Sequence, residues 1–138
     1  MKERVPIKPF HLQLAERYTA AWCSQIAASV AACYSADGVL SINGGLPAVG
    51  RKAITEVAQG FMSAFPDLQV LLDDVREQGD HVEYHWTLVG TNGGPGGTGH
   101  RVRISGFEVW KIADDGLIAE SQGHFDAAEY ERQLAGGR

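Results

Sequence analysis

At 138 residues the chain has the length of one domain, and a globule of this size buries about 68–70% of the surface its unfolded form exposes, enough for a core without metal or disulfide support. A formal charge of -5, with 17 acidic against 12 basic side chains, argues against a nucleic-acid partner, because neutralising phosphates needs clustered Lys and Arg. No apolar run approaches the ~20 residues of a membrane span, so no membrane partner is expected either.

We read residues 1–138 as a single domain, with 1–9 as an N-terminal extension and 135–138 as a flexible tail. Lys2, Arg4 and Lys8 make a weak basic start, but Pro9 and an amphipathic segment follow where a secretory signal would need an apolar stretch. A cytoplasmic location is therefore expected, and with it two unpaired thiols at Cys23 and Cys33.

Residues 11–22 predict a first helix, with Leu12, Ala15, Tyr18 or Thr19, and Trp22 as its apolar stripe. Ser24 is placed to cap a second, short helix carrying Ile26, Val30, Cys33 and Tyr34, which Ala36-Asp37-Gly38 ends. Val39-Leu40-Ser41-Ile42 reads as a first strand running into a bend at Gly44-Gly45. Gly50 opens a third helix whose face carries Ile54, Val57, Ala58, Phe61, Met62 and Phe65, and Pro66 stops it. Between Phe65 and Phe125 the pattern changes to four consecutive strands, over residues 67–77, 82–89, 101–111 and 117–125, with Gln78-Gly79-Asp80 as a tight turn. Helices followed by a meander predict an α+β fold.

This order of elements, with Phe65-Pro66-Asp67-Leu68, the run from Trp86 to Thr91, Ser105-Gly106-Phe107-Glu108-Val109-Trp110 and the closing Phe125-Asp126, resembles the SnoaL-like polyketide cyclases of the nuclear transport factor two-like superfamily, from about Leu14 to Leu134. The resemblance implies a curved antiparallel sheet wrapped around helices, cone-shaped with an internal hydrophobic pocket, no cofactor, and a homodimer through the outer sheet face. It implies a hydrophobic small molecule, polyketide- or terpenoid-like, as partner. The cyclases carry a catalytic Asp on the last strand where this chain has Gly123, and the ketosteroid isomerase relatives carry an Asp base near Ser41-Ile42-Asn43, where Asn43 cannot act as a base. Chemistry, if retained, must use other groups.

Proton transfer then falls to His124, His85 or Glu108, the first two because imidazole titrates near neutrality, the third because a carboxyl in an apolar pocket becomes a usable acid, with an outward position paired to Lys or Arg on the next strand as the alternative for Glu108. Tyr84, Trp86 and Phe107 shape the site, Tyr18, Trp22 and Phe61 line it from the helices, and Ser121 or Asn43 polarises an oxygen. Strand alternation sets Val82, Tyr84, Trp86 and Leu88 on one face and His81, Glu83, His85 and Thr87 on the other; on the last strand Ala119, Ser121, Gly123 and Phe125 face the pocket. The His81-Glu83-His85 series reads as a polar stripe, with a zinc or iron site as the alternative, although neighbours on one face are about 6.6–6.8 Å apart. No metal is expected. Asp126 reads as the cap of a last helix, with orientation of His124 as its alternative role. Residues 94–99 match a dinucleotide-binding glycine pattern, but a strand follows where that pattern needs a helix, so a flexible hairpin loop beside the pocket mouth is expected. A non-catalytic ligand-binding or dimeric interaction module is the rival to an enzyme.

Overall fold

The computed structural model describes residues 6–136; Lys2, Arg4 and the rest of residues 1–5, with 137–138 of the expected tail, lie outside the described residues. In chain order the elements are α1 (Pro9–Cys23), α2 (Ala27–Ala31), β1 (Tyr34–Ile42), β2 (Ala48–Val49), α3 (Arg51–Ala64), β3 (Gln69–Gln78), β4 (His81–Thr91), β5 (Arg101–Ile112), β6 (Ile118–Phe125) and α4 (Ala127–Leu134). The strands form one curved sheet in the order β2-β1-β6-β5-β4-β3, so the expected four-strand meander is β3 to β6. β1 runs parallel to β6, whereas the other neighbours are antiparallel.

α1 begins on Pro9, whose missing amide hydrogen costs nothing in a first helical turn. Its buried stripe runs through Leu14, Ala15, Tyr18, Ala21 and Trp22, and the expected Leu12 is exposed instead. Ser24 does not cap α2. Its hydroxyl donates to the Ala21 carbonyl and accepts from the Ile26 amide, which closes α1 and leaves α2 without a side-chain cap. Tyr34, expected to be helical, opens β1 instead, with Cys33 in the turn before it, because Tyr34 pairs with Ile118 of β6 and its carbonyl takes two bonds from Arg51. The Ala36-Asp37-Gly38 stop is a bulge inside β1, and a side chain at Gly38 would stand 3.0 Å from the carbonyls of Ser35 and Ile118.

α3 buries Ile54, Ala58 and Met62 and ends at Phe65, whose extended conformation is the one a following proline requires. Gly79, at φ 64°, begins the turn between β3 and β4. The glycine-rich stretch before β5 is tied down rather than flexible: Asn92 accepts from the Thr98 amide and donates to the Ala64 carbonyl, while a side chain on Gly94 would strike the Ser63 carbonyl. Along β6 a register shift against β5 makes Ile118, not Ala119, the fully buried residue. Trp110, Tyr18, Tyr34 and Tyr84 are buried at the centre of the core, with Tyr84 stacked on Trp110 at 4.8 Å.

Candidate functional site

Residues from α1, α3, α4 and the inner sheet face line a partly open apolar cavity of about 60 Å3. Trp22, Phe61, Tyr84, Trp86 and Glu108 line it, as do Leu40, Ile42, Ile104, Phe125 and Tyr130, which the sequence reading did not nominate as site residues. Tyr130 is held by one edge contact to Phe125 and a tilted one to Phe65; its place on a short helix after the Asp126 cap was the only available signal. Asp126 does cap α4, accepting from the Glu129 amide at 3.0 Å.

Glu108 is the charged residue in this lining, 8% exposed and set between Tyr84 on β4 and Gly123 on β6 by the pairing registers. Its carboxyl receives Ser121 Oγ at 2.6 Å, Trp110 Nε1 at 2.9 Å and Tyr18 Oη at 3.0 and 3.2 Å. Ser121 and Trp110 are on the inner face for the reason Glu108 is, since residues two apart on a strand share a side. Because Tyr18 spends its proton on Glu108, the 2.9 Å contact to Tyr34 has Tyr34 as donor, which makes a buried chain from Tyr34 through Tyr18 to the carboxyl. Burial raises the Glu108 pKa, and the bonds from Ser121, Trp110 and Tyr18 pull it back only in part. The same burial, with the carboxyl beside them, pushes Tyr18 and Tyr34 well above the ordinary phenol value.

Tyr18 and Ser121 thus reach the cavity through Glu108 rather than by lining it. Asn43 ends β1 as a clip, its Oδ1 accepting from the Phe125 amide at 2.9 Å. His85, Phe107 and His124 stand elsewhere. The register sets them side by side across β4, β5 and β6 on the outer face, with ring centroids 5.4 and 4.9 Å apart. Phe107 and Glu108 are strand neighbours and cannot share a side, and Glu108 takes the inner one. His85 bonds Glu83 and His81 bonds Asp80, and among the described residues no three His, Cys, Asp or Glu side chains are grouped to hold a metal. Trp86 Nε1 is the one buried side-chain polar atom without a hydrogen-bond partner among the described residues.

The model of the SnoaL-like polyketide cyclases matches residues 12–134, nearly the whole chain. The protein belongs to the SnoaL-like polyketide cyclase family. Within solved structures, this SnoaL-like chain is similar to a SnoaL-like protein from Jannaschia sp. CCS1, at 18% identity, with 100% of each chain covered and a TM-score of 0.80. It is also similar to a protein with a ketosteroid isomerase-like fold from Catenulispora acidiphila, solved with trimethylamine, at 16% identity, 96% of both chains and a TM-score of 0.80. An LEH-like epoxide hydrolase of M. tuberculosis matches at 18% identity over 96% of this chain and 94% of its own, with a TM-score of 0.74. At these identities the likeness is one of fold. No curated protein matches the chain. The described residues include no helix long and apolar enough to cross a membrane.

Proposed function

We propose that the protein acts on a hydrophobic small molecule, polyketide- or terpenoid-like, as a cofactor-free cyclase, isomerase or hydrolase in which Glu108 transfers the proton. The observation that carries this reading is a buried carboxyl of raised pKa in the wall of an apolar cavity. Protonated, Glu108 gives its proton to a ligand oxygen; Ser121, Trp110 and Tyr18 then hold the carboxylate that remains. Trp86 Nε1 supplies a further donor for a ligand oxygen. At about 60 Å3 the cavity is well below the ~300–1,000 Å3 of sites for drug-sized ligands, so a ligand of that size needs the wall to yield, and α4, which has no fully buried side chain, is the wall element we propose moves. Turnover of aromatic polyketide and terpenoid epoxide panels by Glu108→Gln tests the assignment: a fall of about 10²–10⁴-fold is expected. An unchanged rate removes Glu108 from the chemistry.

The rival reading, a binding module without catalysis, draws on Gly123 standing where the cyclases carry Asp, and on a carboxyl already met by three donors. It predicts saturable binding with no turnover, and affinity little changed in Glu108→Gln. We further propose a cytoplasmic homodimer through the outer sheet face, supported by the half-buried row His85, Phe107 and His124 and by the free thiols of Cys23 and Cys33. Sedimentation as a monomer at micromolar concentration would overturn the dimer, and recovery with exported proteins the location.

A further inference from the structure

A second cavity, about 240 Å3, lies away from the cone, between the start of α1 and the β3–β4 turn. Lys8, Phe10 and His11 line it from α1, Glu77, Asp80 and His81 from the turn region, and Val82 and Ile112 add apolar wall. His11 is 7% exposed and Glu77 8%, and His11 Nδ1 meets Glu77 Oε2 at 2.5 Å. A carboxylate held at Nδ1 fixes the imidazole and leaves Nε2 as its working atom. Nε2 has no partner among the described residues.

The free polar capacity here is for an anion. Glu77 is already occupied, accepting from His11 and from the Lys8 amide at 3.2 Å, and Asp80 is turned to solvent and bonded to His81 Nδ1. The Lys8 ammonium has no counter-ion among the described residues. α1 starts with no acidic residue in its first turn and no side-chain cap, so its positive end is unneutralised except by Glu77. Lys111, the remaining charged group near Asp80, pairs with Glu120. What remains are the exposed Lys8 ammonium, the Nε2 atoms of His11 and His81, and the rings and chains of Phe10, Val82 and Ile112.

We propose that this cavity is a second small-molecule site, independent of the cone, which takes a small carboxylic acid of apolar body as its anion. The ligand carboxylate sits against Lys8 Nζ and His11 Nε2, and its hydrocarbon part against Phe10 and Ile112. Entry as the neutral acid passes the carboxyl proton to Nε2; entry as the anion draws that proton from water. Binding therefore takes up one proton and weakens as pH rises.

The test is a ¹⁵N-NMR titration of the full chain with sodium benzoate, with benzyl alcohol as the uncharged isostere, at pH 6 and pH 8. Amide shifts are expected at residues 8–11, 77–82 and 112–113, with millimolar affinity about tenfold weaker or more at pH 8, and none from benzyl alcohol. His11→Gln should abolish the site and Lys8→Met should weaken it; Lys8 is exposed, so the second variant remains informative if the first fails to fold. Absence of shifts at these residues, equal affinity at both pH values, or an unchanged response in Lys8→Met overturns the proposal. So does benzoate binding that occurs only after deletion of residues 1–5, which would make the chain's own N-terminus the occupant.

Discussion

Gly123 faces Glu108 directly across the β5–β6 pairing, and a side chain at 123 would begin 3.7 Å from Glu108 Cγ. That spacing is ordinary contact, so Gly123→Ala should fold with little loss. Gly123→Asp should not be neutral, although it would restore the residue of the family's cyclases. Two carboxyls on facing inner positions cannot both ionise at low cost, and Glu108 already resists ionisation by burial. We expect its urea midpoint to lie near that of Gly123→Ala at pH 5 and to fall progressively towards pH 8, by about 1–3 kcal/mol in stability.

Glu108 itself should make stability pH-dependent. Its folded pKa is raised above the 4.5 of an unperturbed Glu, so the folded state binds more protons than the unfolded state between those two values. Its stabilising contribution is complete below pH 4.5 and is lost as pH rises through the folded pKa. Glu108→Gln, which keeps the shape and cannot ionise, should flatten that decline. Parallel urea melts from pH 4 to 8 would show it, and identical slopes in the two proteins would contradict the raised pKa.

The meander was legible because β-branched and aromatic residues alternate with polar ones from Val82 onward, and the helix stop at Phe65-Pro66 follows from proline chemistry alone. Tyr34 was not legible: its helical spacing from Val30 is real, but the pairing with Ile118 and the two bonds from Arg51 come from distant chain and override it. Glu108 could be nominated as a carboxyl between apolar neighbours; the strand period puts Trp110 on its side, whereas Ser121 was recoverable as its partner only once the register was known. His85 and His124 attracted attention for their chemistry, whereas the two-residue period already set His85 opposite Tyr84.

Ser121→Ala removes the shortest of the bonds to Glu108, 2.6 Å, at a site with no exposure. The lost donor had favoured the charged carboxylate, so the Glu108 pKa should rise further. A ¹³C titration of the Glu108 carboxyl carbon measures this. The stability cost should be about 1–3 kcal/mol where the carboxyl is ionised and smaller where it is protonated.

Gly106 is constrained by contact. A side chain there would lie 2.4 Å from the His124 carbonyl and 2.7 Å from Trp86 Cζ2, and the carbonyl belongs to the paired strand and cannot swing aside. Gly106→Ala should cost about 1–3 kcal/mol or more and displace the Trp86 ring from the cavity wall. Thermal melts measure the first effect and a shift in indole emission the second; an unaltered melt would mean the two strands separate easily at this point.

Asp126 controls the cavity from outside it. Its carboxylate caps α4 through the Glu129 amide, and α4 carries Tyr130 over Phe125 at the cavity wall. α4 has only eight residues and no fully buried side chain, so the cap is a large share of what holds it. Asp126→Ala should cost about 1 kcal/mol, felt first as local opening rather than global unfolding. Amide exchange across residues 127–134 should quicken several-fold while the amides of β4 and β5 keep their protection. If ligand entry requires α4 to move, the same variant should bind a cone ligand faster, with the gain in the association rate. Slower exchange or an unchanged association rate would show that α4 is not the moving wall.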